Sequence, residues 1–202
     1  MEKTSPYTLG SLIGGRLALD FANVGSASRP LSWEELILFL EATQVISPER
    51  SVLLLELPET DPAGAQSLLS RATGLRNRMR QMFYTLIRQE TPRPEQVEPV
   101  NEMLRVTEGH DELVFGGGRW RMEFVARESG LEWLLAAIAR SAAEIADEGT
   151  VARVRVCANP ECGLFFYDGS RTRRRRWCSM AVCGNRHKVA SFAKKHAGNR
   201  EK

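Results

Sequence analysis

The four cysteines of this chain of 202 residues all lie in one short segment near its end. Four residues separate Cys157 from Cys162, four separate Cys178 from Cys183, and fifteen lie between the two pairs. Paired spacings of this kind are typical of a tetrahedral zinc site, because two short loops together supply four thiolates. Four protein ligands leave no coordination position for water, so the spacing predicts one structural Zn²⁺.

Two disulfides, or four unrelated buried thiols, are the alternatives to a metal site. The N-terminus has no basic stretch followed by an apolar run, and no apolar segment approaches the ~18 residues of a membrane span. We therefore expect a cytoplasmic protein with no membrane contact, in which thiols stay reduced and cysteine pairs favour metal. His187 is a weaker alternative to one of the four sulfur ligands.

The residues around the cysteine pairs predict how the two loops are held. The segment VARVRVC alternates apolar and polar residues and predicts a strand, GLFFYD predicts a second strand, and GNRHKVASFAKKH predicts a helix. A hairpin carrying one ligand pair, with the other pair at a helix start, is a treble-clef-like zinc finger. So small a unit buries little apolar surface, so the metal is expected to supply folding energy.

The first 150 residues predict a mainly α fold. Ser32 with Glu35 forms a capping-box pattern, Ser47 with Pro48 begins the next helix, and the longest helix is expected from Ala63 to Gln89. The segment TPRPEQVEPV is expected to be a connection, followed by a short helix from Glu102 to Thr107. A second capping-box pattern, Ser129 with Glu132, predicts a helix from Leu131 to Ala146, which Gly149 ends.

Two further features complete the expected fold. The segment GGRLALDFANV predicts a short helix, and the segment ELVFGGGRWRMEF predicts one short β-hairpin with a glycine turn. The predicted division is a helical domain over residues 1–149 and a zinc finger with a basic C-terminal helix over residues 150–202.

Charge divides the chain at the same place. From Val151 onward there are 13 Lys and Arg against 3 Asp and Glu, a net of +10, whereas the first 150 residues have a net of −7. An acidic body with a basic end is typical of a chain that meets nucleic acid or another anionic surface.

The finger segment closely resembles the bacterial CGNR zinc-finger proteins, and the body resembles the ABATE domain that precedes this finger in that family. Leu19-Asp20-Phe21-Ala22-Asn23 matches a hallmark of that domain, although Val24 stands where the family commonly has Thr. The resemblance implies a helical N-terminal domain, a C-terminal zinc finger and a role as a stress-responsive transcription regulator. The matching finger residues are Cys162-Gly163, Phe166, Asp168, Ser170-Arg171, Arg175-Arg176-Trp177-Cys178-Ser179-Met180, Cys183-Gly184-Asn185-Arg186 and Lys188.

The basic residues of the finger are the candidate nucleic-acid contacts. A rigidly held arginine cluster can engage several phosphates, and Asn185 and Arg186 at the helix start are placed to reach base edges. We expect Asp168 to hold one arginine inside the finger and Trp177 to pack beside its cysteine. Docking of the arginines onto the acidic body is the alternative. The candidate contacts are Arg171, Arg173, Arg174, Arg175, Arg176, Asn185, Arg186 and Lys188.

The helical domain contains no recognisable nucleophile elbow or phosphate loop, so no enzymatic activity is expected. Asp20 and Asn23 are polar residues among apolar neighbours, and they either line a small-molecule pocket or satisfy local backbone. Three functions stay open, and the charge asymmetry favours the first. The first is a DNA-binding regulator whose helical domain senses a ligand or mediates dimerisation, and the second is a protein-interaction adaptor whose finger contacts no nucleic acid. The third is an enzyme with its site in the helical domain, which would need a deep pocket with convergent ionisable groups.

Overall fold

A computed structural model describes residues 12–25, 30–106, 109–116, 118–126 and 130–197. Within these ranges the fold is mainly α, as the sequence predicts, with two separate two-stranded sheets. No helix in this part of the chain combines the length and hydropathy that crossing a bilayer requires. The elements of the helical domain are α1 (Leu17–Asn23), α2 (Trp33–Ala42), α3 (Pro48–Leu55), α4 (Leu57–Thr60), α5 (Pro62–Ile87), α6 (Pro94–Val106), β1 (Gly109–Gly116), β2 (Arg119–Ala126) and α7 (Ala136–Asp147).

The helix starts of the first half follow from local capping. The Ser32 hydroxyl accepts from the Glu35 backbone N–H and the Glu35 carboxylate accepts from the Ser32 N–H, which confirms the capping box. The Ser47 hydroxyl accepts from the Arg50 N–H, and Pro48 occupies the first turn of α3. The apolar faces of α1, α2 and α5 then share one core.

The prediction of a short helix from Glu102 to Thr107 is wrong at its start, because α6 already begins at Pro94 and contains Pro99. Pro94 suits the first position, whereas Pro99 removes one backbone donor. Burial explains why the helix continues through it: Val100 and Met103 are 1% and 5% exposed in the core that α6 shares with α5 and α7. Tertiary packing here outweighs local propensity.

The predicted β-hairpin is confirmed: β1 pairs antiparallel with β2, from Gly109 opposite Ala126 to Gly116 opposite Arg119. The helix expected from Leu131 starts as a tight 3₁₀ turn over Glu132–Leu135 before α7 begins at Ala136. Ser129, the other half of the predicted capping box, lies outside the described residues. Gly149 follows α7 with a φ of +59°, a left-handed conformation suited to glycine.

The C-terminal unit consists of β3 (Val154–Val156), β4 (Phe165–Tyr167) and α8 (Asn185–Ala197). β3 and β4 form a short antiparallel hairpin, and a wide helical turn over Met180–Gly184 leads into α8. This is the treble-clef-like arrangement that the sequence predicts. The unit does not pack separately, because Val154 and Phe165 belong to the same core as α1 and α5.

Candidate metal centre and nucleic-acid interface

The hairpin positions the first cysteine pair. Cys157 directly follows β3, and its backbone N–H donates to the Leu164 carbonyl at 2.9 Å. Cys162 lies in the turn between the strands, where its N–H donates to the Asn159 carbonyl at 2.9 Å. Gly163 has a φ of +65°, so the chain reverses there without the strain of a side chain.

The second pair is brought to the first by backbone contacts. The Ala158 N–H donates to the Arg176 carbonyl at 2.9 Å, and the Cys178 N–H donates to the Cys157 sulfur at 3.5 Å. Cys183 lies in the helical turn over Met180–Gly184 that precedes α8. The Ser179 hydroxyl caps the start of this turn by accepting from the Val182 N–H.

The four sulfurs meet at one point. All four Sγ atoms lie within 4.8 Å of one another, with Cys162 at 3.6 Å and Cys183 at 3.7 Å from Cys178. Sulfurs bound ~2.3 Å from one tetrahedral zinc are about 3.8 Å apart, whereas a disulfide bond is ~2.05 Å long. The separations fit a shared metal ion and are too long for a disulfide, and none of the four cysteines is disulfide-bonded.

The chemistry of the four sulfurs also fits a dication. Burial raises the pKa of the Cys162 thiol to about 11, and burial with the adjacent Cys162 sulfur raises the pKa of Cys178. Burial acts the same way on Cys157, but the hydrogen bonds from the Cys178 and Asn159 N–H groups, together with those from the Cys178 and Cys162 side chains, outweigh it and lower the pKa of that thiol. Several thiolates so close together need a compensating positive charge, which Zn²⁺ supplies while holding the two loops together.

His187 is not among the clustered ligand groups. Its ring stacks on the Trp177 ring at a centroid distance of 4.8 Å, and Ser191 lies 3.4 Å from its Nε2. Trp177 itself is half-buried against the small core around the cysteines. The histidine and the tryptophan therefore connect the loop between the ligand pairs to the first turns of α8.

Asp168 organises the arginine loop through backbone groups. It is 0% exposed, and its carboxylate accepts from the Ser170 N–H at 3.0 Å and from the Arg175 N–H at 2.9 Å. Burial alone raises the pKa of Asp168, but the hydrogen bonds from Ser170 and the Arg175 N–H hold it below its ordinary value. Asp168 thus holds Arg175 through its backbone N–H, and the charge of the Arg155 guanidinium also lowers the pKa of the carboxyl.

The predicted nucleic-acid residues divide into two groups. Arg175 is used inside the finger: its guanidinium donates to the Trp177 and Cys178 carbonyls and lies 4.6 Å from the Phe166 ring centroid. The Asn185 amide donates to the Ala181 carbonyl at 3.1 Å, although the residue is exposed. The remaining candidates are exposed on the loop or on α8: Arg171, Arg173, Arg174, Arg176, Arg186 and Lys188.

Asp20 and Asn23 are both buried, at 5% and 1% exposed. The Asn23 amide donates to the Phe165 carbonyl and accepts from the Phe165 N–H, both at 2.8 Å, so one side chain completes the edge of β4. This contact across 142 residues has no local sequence signal. Asn23 therefore docks the finger hairpin onto α1.

Asp20 accepts from the Gly14 N–H at 2.7 Å and borders a cavity of about 320 Å³ between the segment before α1 and the end of α2. The Gly14 carbonyl in turn accepts from the Tyr167 N–H of β4 at 2.7 Å. Gly14 thus links Asp20, at the border of the cavity, to strand β4 of the finger. The assignment of Asp20 and Asn23 to a small-molecule site stays a prediction.

Burial raises the pKa of Asp20 from 3.8 to about 6 against the opposing backbone hydrogen bonds from Gly14 and Gly15. A carboxyl whose pKa is higher in the folded state binds more protons there, so it makes folding less favourable as pH rises from about 4 to 6. We expect Asp20→Asn to remove this dependence. In thermal melts, the stability of the variant relative to the parent chain should increase across that interval and stay constant above it. A constant difference from pH 4 to 7 would contradict the raised pKa.

A helical domain joined to a finger of four converging thiols defines a zinc-finger protein with its metal in a structural role. The sequence matches the CGNR zinc finger over residues 153–196. Residues 15–149 match the ABATE domain, whose description is "Putative stress-induced transcription regulator". The chain therefore belongs to the ABATE family and carries a CGNR finger, which confirms the resemblance. No curated protein matches it.

Proposed function

We propose that this chain is a non-enzymatic, DNA-binding transcription regulator whose zinc finger presents an arginine surface to duplex phosphates. The observation that supports this most is the loop between the ligand pairs. Asp168 fixes its backbone, while Arg171, Arg173 and Arg174 are exposed on it. The ion pairs among the described residues involve none of these three. Because both ends of the loop are attached to the metal centre, the charges are held in a fixed arrangement at low entropic cost.

The surrounding charge favours an anionic partner. No Asp or Glu occurs from position 169 to position 200, whereas this stretch contains ten Lys and Arg. Duplex DNA has one negative charge per ~1.7 Å of helix axis, and several cations brought to it together release condensed counterions. Arginine suits this role because its planar guanidinium binds phosphate with two parallel hydrogen bonds.

The helical domain is proposed to sense a ligand or to mediate dimerisation. A groove of about 450 Å³ between α5 and α6 supports the first possibility, since its volume is in the range of small-molecule sites. Arg71 and Arg78 border it on α5, with Glu102 and Met103 on α6. The metal centre takes no part in chemistry, since four protein ligands leave it no open position.

We expect the triple variant Arg171→Ala, Arg173→Ala, Arg174→Ala to bind duplex DNA more weakly while remaining folded, because the three side chains are exposed. The slope of log affinity against log salt concentration should become shallower by about 0.9 for each phosphate that the variant no longer binds. Fluorescence anisotropy at several salt concentrations measures both quantities.

A matched control replaces three exposed arginines of the helical domain, Arg88, Arg93 and Arg105, by alanine. This control should keep the parent slope. An unchanged slope in the loop variant would contradict the proposal, and absence of salt-dependent DNA binding in the parent chain would favour the protein-interaction adaptor.

A further inference from the structure

The beginning of α8 is largely exposed, and its ring contact to the rest of the finger is the stacking of His187 on Trp177. Each residue from Asn185 to Ala190 is exposed. The principal contacts of α8 are with the helical turn over Met180–Gly184 that leads into it. A helix of a soluble protein ordinarily buries an apolar stripe, so a helix held out in this way has a surface available to a partner.

That surface includes apolar side chains. Val189 and Phe192 are 69% and 65% exposed. At about 100° per residue they lie on one face, with Lys188 on one side and Arg186 on the other. His187 is on the opposite side of the helix, where it stacks on Trp177. The finger thus contacts α8 on its His187 side. The other side of the helix faces outward and carries an apolar strip, Val189 and Phe192, between Arg186 and Lys188.

The charges around this strip select among possible partners. A second copy docked through α8 would bring Arg186 and Lys188 of each chain together with the arginine loops, and like charges at an interface disfavour association. The Arg176 guanidinium lies 5.3 Å from the Trp177 ring centroid, and the Trp177 ring stacks on His187 in the first turn of α8. The positive charge of the loop therefore lies next to that of α8. A partner therefore has to be polyanionic and also offer apolar groups in a recess between its charges.

The major groove of DNA has these properties. It is about 12 Å wide, is bordered by phosphates on both sides, admits an α-helix, and displays the C5-methyl groups of thymine as its apolar feature. Helix α8 has 13 residues and is thus about 20 Å long, enough to cross the groove. Valine and phenylalanine have no hydrogen-bonding groups, so a thymine methyl is the base-edge feature that they can recognise.

We infer that α8 enters the major groove and that Val189 and Phe192 determine sequence specificity by contacting thymine methyl groups. This rests on the proposed DNA-binding function and deepens it. The exposed arginines of the loop position the protein on phosphates of any sequence, whereas the apolar strip distinguishes thymine from the other bases. Arg186 and Lys188 bind the backbone or base edges on either side of the strip.

The test starts by selecting duplexes from a random pool with the full-length, zinc-loaded chain. Thymines of the selected site are then replaced one at a time by deoxyuridine, which removes the methyl group and leaves pairing and phosphate charge unchanged. We expect a loss of affinity of about three- to fourfold at each contacted methyl, the magnitude of burying one methyl group. The double variant Val189→Ala, Phe192→Ala should bind the thymine duplex and the deoxyuridine duplex equally. The salt dependence of its DNA binding should be the same as that of the parent chain.

Alanine is a strong helix former and both positions are exposed, so the double variant should keep its helix. The control Val52→Ala, Leu53→Ala changes two exposed apolar residues of α3, at 59% and 69% exposed, and should preserve the difference between thymine and deoxyuridine. Equal binding of both duplexes by the parent chain, with salt-dependent binding intact, would overturn this inference alone. Absence of any duplex binding would overturn the proposed function as well. Sedimentation showing that the α8 variant dissociates a dimer, without a thymine effect, would assign the strip to self-association.

Discussion

Replacing Cys178 by serine is expected to release the zinc and to lower the melting temperature of the whole chain, not of the finger alone. The Cys178 sulfur lies 3.6 Å and 3.7 Å from the sulfurs of Cys162 and Cys183, so the substitution removes a ligand that is adjacent to two of the other three. Structural zinc sites in finger peptides contribute about 10–16 kcal/mol of apparent binding free energy. The sequence alone suggests that the helical domain would be left largely intact, but Phe165 of the finger hairpin is fully buried in the core of that domain.

We therefore expect a melting temperature lower by more than about 10 °C, since each kcal/mol shifts a chain of this size by about 2–4 °C. Metal analysis should find one zinc per parent chain and a substoichiometric amount in the variant. Thr172→Ser is a suitable control, because it changes an exposed residue between the ligand pairs and should keep both the zinc and the melting temperature. Stoichiometric zinc in the Cys178 variant would contradict the four-thiolate site, and an unchanged helical-domain transition would contradict the shared core.

The metal centre could be predicted from sequence because its constraint is local. Two short loops that carry four thiols have few arrangements in which all four can bind one tetrahedral ion. The structure has such an arrangement, with Cys157, Cys162, Cys178 and Cys183 together. The capping box of Ser32 and Glu35 is predictable for the same reason, since both partners lie within one turn. Interactions between residues that are a few positions apart in sequence can be predicted without knowledge of the tertiary packing.

Contacts between distant segments could not be predicted in this way. The proline-rich stretch was expected to be a connection, but its part from Pro94 onward belongs to α6, because Val100 and Met103 of this helix are buried against the neighbouring helices. Asp168 was expected to hold an arginine, and it does so through the Arg175 backbone N–H and through the charge of the Arg155 guanidinium, because a buried carboxylate needs donors and positive charge nearby. The partner of Asn23 is 142 residues away, and the side chain has no neighbours in sequence that indicate it.

The second large effect is expected at this junction. Asn23→Ala leaves the Phe165 N–H and carbonyl without the amide that pairs with both at 2.8 Å, in a site where Asn23 is 1% exposed. Each buried backbone group left unpaired costs about 1–3 kcal/mol, so the two groups together are expected to lower the free energy of unfolding, measured with urea, by about 2–6 kcal/mol. Asn23→Asp should destabilise at least as much although its shape is preserved, because a carboxylate cannot donate to the Phe165 carbonyl and is repelled by it.

These two variants together separate hydrogen bonding from packing. Phe165 also contacts the rings of Phe83 and Tyr84 at centroid distances of 5.8 Å and 4.9 Å, and neither substitution removes those contacts. Asn101→Ala, on the partly exposed side of α6, serves as the matched control and should change the free energy of unfolding by no more than about 0.5 kcal/mol. If both variants were as stable as the parent chain, neither hydrogen bond of the amide would be needed, and apolar packing of Phe165 alone would hold the finger on the helical domain.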